Sequence, residues 1–67
     1  MSLKLVSEMK VGDVFKINGD NFRVMSIEPA STPDSVKIWY QSQKTGRYYV
    51  RVIWKNDSLN VVDYLSN

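Results

Sequence analysis

The sequence contains no cysteine and no histidine. Without thiols there is no disulfide framework, thiolate zinc site, iron–sulfur cluster or cysteine nucleophile. Without imidazole the commonest general base is missing, and so are the usual zinc ligand and the natural switch near neutral pH. Glycine and proline are scarce, at three and two residues. Gly12, Gly19 and Gly46 stand apart, so they form no phosphate-cradling loop. Ser31, Thr32 and Ser35 have no histidine to activate them, which excludes a hydrolase triad in its usual form. Long apolar runs are also absent. A run such as Val52-Ile53-Trp54 falls far short of the ~20 residues that span a bilayer.

What remains is a chain of 67 residues that is 43% apolar, enough to fold around a core. It reads as a single domain over 1–67, with 1–9 as a lead-in segment. That lead-in is soon interrupted by Glu8 and Lys10, so neither a signal peptide nor a membrane anchor is expected. With no thiols, a cytoplasmic location is the expectation. The formal charge of +2 tolerates an anionic partner without requiring one. Seven carboxylates are present, and none has the spacing of a calcium loop. Asp13, Asp20 and Asp57 sit where turns favour them. No metal, cofactor or small-molecule substrate is expected, and a chain this short does not easily build a water-excluded active site. The expectation is a binding module, not an enzyme.

Period-two patterning dominates. Residues 14–17 read as a strand, 18–21 as a turn cluster, and 22–27 as a second strand. Pairing Asn18 with Asn21 sets Ile17 against Phe22 and Phe15 against Val24, all on one face. The alternation falters at Met25-Ser26, which predicts a bulge or strong bend. Pro29 and Pro33 mark a loop over 29–35. Strands follow at 36–42 and 47–54, joined by a turn over 43–46 with Gly46 in the left-handed position. Residues 60–64 fit a short strand or one helical turn. The predicted fold is all-β, a small five-stranded sheet strongly bent and closed on itself into a barrel, because closure removes exposed edges.

The second hairpin carries the functional lead. Pairing Gln43 with Arg47 sets Tyr40 against Val50, Ile38 against Val52 and Val36 against Trp54, with Tyr48 on that apolar core face. The opposite face then carries Lys37, Trp39 and Gln41 beside Tyr49, Arg51, Ile53 and Lys55. Trp39 lies opposite Arg51. A one-residue slip exchanges every assignment. In this register two aromatics interleave with cations, an arrangement that stacks unpaired bases and neutralises phosphates. A cross-strand cation–π pair between Trp39 and Arg51 is the structural alternative, as is burial of Trp39 under Leu3 and Leu5.

The strings Lys10-Val11-Gly12-Asp13, Ile17-Asn18-Gly19, Phe22-Arg23-Val24 and Thr45-Gly46-Arg47 resemble the N-terminal SH3-like barrel of the elongation factor P and eukaryotic initiation factor five-A group. They fit the wider set of KOW-like barrels equally. The resemblance spans residues 10–53 and implies a small barrel, many of which contact RNA, DNA or ribosomal proteins. In that group a modified Lys or Arg flanked by glycines carries the activity. The corresponding loop, 29–35, has no Lys, Arg or Gly, so the resemblance implies the fold and not that activity.

Two binding functions follow. The first is contact with single-stranded RNA or DNA through Lys37, Trp39, Tyr49, Arg51 and Lys55, with Lys44 and Arg47 as phosphate contacts at the hairpin tip. The second is a protein-interaction or inhibitory role through the same face, a sheet edge or the 29–35 loop. The small size also suits an accessory protein of a phage or mobile element.

Overall fold

Asn18 and Gly19 form a two-residue turn with φ of +49° and +82°, the paired positive angles of a type I′ hairpin. A computed structural model, which describes residues 2–62, builds the fold outward from this turn. Strand β2 (Val14–Ile17) pairs with β3 (Asp20–Pro29), Phe15 opposite Phe22 and Ile17 opposite Asp20. The tight turn draws the strands two residues further along than the Asn18–Asn21 pairing anticipates. A shift of two preserves the faces, so Phe15, Ile17, Phe22 and Val24 stay together.

The expected bulge is present. Val24 pairs with Tyr40 and Ser26 with Trp39, leaving Met25 as the extra residue. After it Ile27 faces Ile38, so the inward side moves from even to odd positions along β3. β4 (Ser35–Ser42) follows the 30–34 loop and is alternately buried at Ile38, Tyr40 and Ser42. β5 (Tyr48–Trp54) completes the second hairpin. A turn over 55–56 leads into β6 (Ser58–Val61), which pairs with β1 (Ser2–Leu5) and with β2 at Phe15. A 3₁₀ turn over Val6–Glu8 follows β1.

Over the described residues the result is all-β, but it is one open antiparallel sheet of six strands in the order β1-β6-β2-β3-β4-β5. The five-stranded closed barrel is corrected on two counts. The lead-in segment supplies a strand of its own, and among the described residues β5 ends the sheet without a partner beyond β4. The last strand occupies Ser58–Val61, ahead of the 60–64 expectation, whose final two residues lie outside the described residues.

The sheet buries its concave side. Phe15, Val24 and Ile38 are fully enclosed, with Val6, Met9, Tyr40 and Val61 around them. Phe15 stacks on Phe22 at 5.6 Å between ring centroids and meets Tyr40 edge-on at 5.4 Å. Such aromatic contacts add about 0.5–1.5 kcal/mol each beyond area burial. The 3₁₀ turn is tied to the β5–β6 connection, with Val6 N–H donating to Asp57 O at 2.8 Å and Ser7 N–H to Lys55 O at 2.9 Å. Asp13 fastens β1 near the first hairpin, accepting from Lys4 Nζ and from Lys10 N–H, each at 3.0 Å. Among the described residues no helix is long and apolar enough to cross a membrane.

Candidate protein-interaction edge

The second hairpin departs from its predicted register by one residue. Tyr40 pairs with Tyr49, Trp39 with Val50 and Ile38 with Arg51. The cause lies in the turn. Ser42 is buried and its hydroxyl accepts from the N–H groups of Lys44 at 3.1 Å and Thr45 at 3.0 Å. The same hydroxyl donates to Asp20 across the sheet. Gln43 N–H is held by Asn21 O at 2.8 Å, while Ser42 N–H donates to Arg47 O and Gly46 N–H to Ser42 O. These bonds keep Ser42 paired with Arg47, so residues 43–46 form the loop. Gly46 adopts φ +78°, the left-handed position expected of it.

An odd slip exchanges the faces of β5. Tyr49, Arg51 and Ile53 turn inward. Tyr49 stacks on Tyr40 at 5.7 Å and meets Phe22 edge-on at 6.1 Å. Arg51 reaches over the open side of the core, where it borders a cleft of about 300 Å³ with Ile17, Phe22, Tyr40 and Tyr49. Tyr48, Val50, Val52 and Trp54 turn outward. Tyr48 and Trp54, expected inside, are 61% and 56% exposed, and Val50 and Val52 are 47% and 58% exposed.

The predicted basic–aromatic face is therefore divided between the two sides of the sheet. Lys37 and Trp39 share the outer side with Val50 and Val52, while Tyr49 and Arg51 lie on the inner side. Trp39 and Arg51 cannot form the cross-strand pair. Nor do Leu3 and Leu5 cover Trp39, because β1 lies at the opposite end of the sheet. Trp39 is 39% exposed and donates its indole N–H to Glu28 Oε1 at 3.0 Å. Lys44 and Arg47 do stand at the exposed hairpin tip. Lys55 is exposed just past β5, its N–H bonded to Asp34 O. Among the described residues no group of three carboxylates is placed to hold a metal ion.

The sequence suggests a sheet edge without locating it; the unpaired margin belongs to β5. Two bonds bracket the strand and fix its hydrogen-bond phase: Ser42 N–H to Arg47 O at 2.9 Å, and Lys55 N–H to Asp34 O at 2.8 Å. Bonded pairs alternate along an antiparallel ladder. Residues 47, 49, 51, 53 and 55 thus direct their main-chain groups at β4. Tyr48, Val50, Val52 and Trp54 direct theirs away from it. Trp54 O is used by Asp57 N–H at 3.2 Å. Tyr48, Val50 and Val52 therefore combine outward-facing main-chain groups with outer-face apolar side chains. Edges are usually blunted by lysine, proline, an inward-pointing charge or a covering element, and Arg51 is such an inward charge on β5. None of these three positions carries lysine or proline, and among the described residues no strand is paired with this margin; Ser58 and Leu59 of β6 face its Arg51–Trp54 end across a cleft of about 240 Å³.

Beside this stripe is a hollow of about 220 Å³ lined by Ser31, Thr32, Ser35, Val52 and Trp54. Thr32 and Ser35 share a hydroxyl hydrogen bond of 2.6 Å, and Ser35 N–H donates to Thr32 O at 3.3 Å, which gives the 30–34 loop a defined turn at its exit. No known protein family model matches the chain, and no curated protein matches it in sequence.

Proposed function

We propose that the chain is a non-enzymatic protein-interaction module that accepts an extended segment of a partner along β5. The carrying observation is the coincidence of outward main-chain groups and exposed apolar side chains at Tyr48, Val50 and Val52. Main-chain hydrogen bonds from such an edge supply affinity, and side-chain contacts on alternate positions supply specificity. The hollow beside Trp54 would take one partner side chain, with the partner covering the stripe. Single-strand binding has less support, because Arg51 is on the far side of the sheet from Trp39 and the Glu28 carboxylate sits at the indole.

Val50→Pro tests this reading cleanly. The Val50 N–H faces away from β4, so proline removes an edge donor and leaves the β4–β5 ladder its own bonds. The wild-type chain and this variant would be used as baits in nuclease-treated extract, after circular dichroism has shown that both are folded. A stoichiometric protein partner, whether a second copy or another chain, lost only on Val50→Pro is the expected result. Capture abolished by nuclease, or single-strand binding that weakens steeply between ~50 and ~200 mM salt, would instead favour the nucleic-acid role.

A further inference from the structure

We infer that the strand received by β5 is supplied by a second copy of this chain, and that Arg51 selects the register. The inference rests on β5 as an interaction edge. A two-fold dimer built by edge pairing runs antiparallel, so the outward main-chain groups of one copy must face those of the other. That requirement restricts bonded pairs to combinations of Tyr48, Val50, Val52 and Trp54. Centring the axis on Arg51 would oppose two guanidinium groups, which is unfavourable for directly facing residues. Centring it on Tyr49 would place Arg47 against Arg51 of the second copy, with the same objection. Centring it on Val52 would require Trp54 in a bonded pair, and Trp54 O is already taken by Asp57 N–H.

An axis through Val50 meets none of these objections. Val50 then faces Val50 of the second copy, and Tyr48 faces Val52 on either side of it. The exposed stripe becomes a continuous apolar row across both molecules. On the inner side Tyr49 faces Arg51 of the second copy, a cation beside an aromatic ring. Each copy thus brings an arginine to the rim of the other's aromatic cleft. The single charge within β5 excludes two alternative registers and fits this one.

Because the chain has no native cysteine, single-cysteine variants read the register directly. Facing Cα atoms of a bonded antiparallel pair lie ~5.5 Å apart. That lies within the ~4.4–6.8 Å range of a disulfide. Under mild oxidation Val50→Cys is expected to cross-link at least about ten-fold faster than Val52→Cys, since Val52 faces Tyr48 and not itself. Sedimentation should show a wild-type dimer that dissociates on dilution, while Val50→Pro stays monomeric. Faster cross-linking of Val52→Cys, equal rates for both variants, or a wild-type monomer at every concentration would overturn the inference. If the wild type is monomeric while Val50→Pro still loses a nuclease-resistant partner, only the self-pairing fails. If Val50→Pro changes neither property, the edge reading fails with it.

Discussion

The two hairpins of this chain were written with different amounts of information. In the β2–β3 hairpin, apolar Phe15, Ile17, Phe22 and Val24 alternate with polar Lys16, Asn21 and Arg23. Only one face can go inside. In β5 the run Tyr-Tyr-Val-Arg-Val-Ile-Trp is apolar at nearly every position. Either face could be buried, so the turn and the packing partners decide. The first hairpin has its inner face against the core, whereas β5 is exposed along most of its length. A strand that is apolar on both faces at the margin of a sheet has been left apolar where solvent would favour polar residues. The contrast is what makes β5 the element of the proposed interaction.

The largest test of the contrast removes the centre of the first hairpin. Phe15 is fully buried and makes ring contacts with Phe22 and Tyr40. Phe15→Ala should cost about 3–5 kcal/mol. Small single cores rarely supply more than ~3–5 kcal/mol in total, so the variant should be largely unfolded. Far-ultraviolet circular dichroism and urea titration would show this. A cooperative transition near that of the wild type would mean that the core is centred elsewhere.

A smaller effect is expected at the residue that fixes the second register. Ser42 accepts two turn amides and donates to Asp20. Ser42→Ala leaves those groups without their buried partner, at a cost of about 1–3 kcal/mol. The amides of Lys44 and Thr45 should exchange with solvent fastest relative to wild type. Unchanged exchange there would mean that the loop is held by Gly46 and the backbone alone.

These two residues also mark how far the sequence was legible. The class, the two hairpins, the turn cluster over 18–21 and the bulge near Met25 are all written in local pattern and composition. The faces of β2 and β3 survived a two-residue error because parity was preserved. Ser42 carried no local signal of its role. Its hydroxyl acts through Asp20, which is distant in sequence and belongs to a different strand. That contact lengthened the loop by one residue and exchanged the faces of β5. Local pattern consequently puts Tyr49 and Arg51 on the outer side and Tyr48, Val50, Val52 and Trp54 in the core, the reverse of their positions in the fold. Sheet closure was likewise beyond local pattern, because the lead-in segment pairs with β6 at the far end of the chain.

The smallest expected effect sharpens the comparison most. Tyr48 pairs with Gln41 and turns its ring to solvent, whereas Phe22 and Tyr49 place theirs against Tyr40. Tyr48→Thr keeps a residue favoured in strands and removes an exposed ring. At concentrations where the chain is monomeric, stability should change by less than about 0.5 kcal/mol, the usual range for surface substitutions. The register inferred from a three-residue loop places Tyr48 in the core, where losing the ring would cost about 3–5 kcal/mol. Urea denaturation distinguishes the two without knowledge of any partner. A small loss places the apolar stripe outside and leaves it available for binding; a large one returns Tyr48 to the core and removes the stripe on which the interaction edge depends.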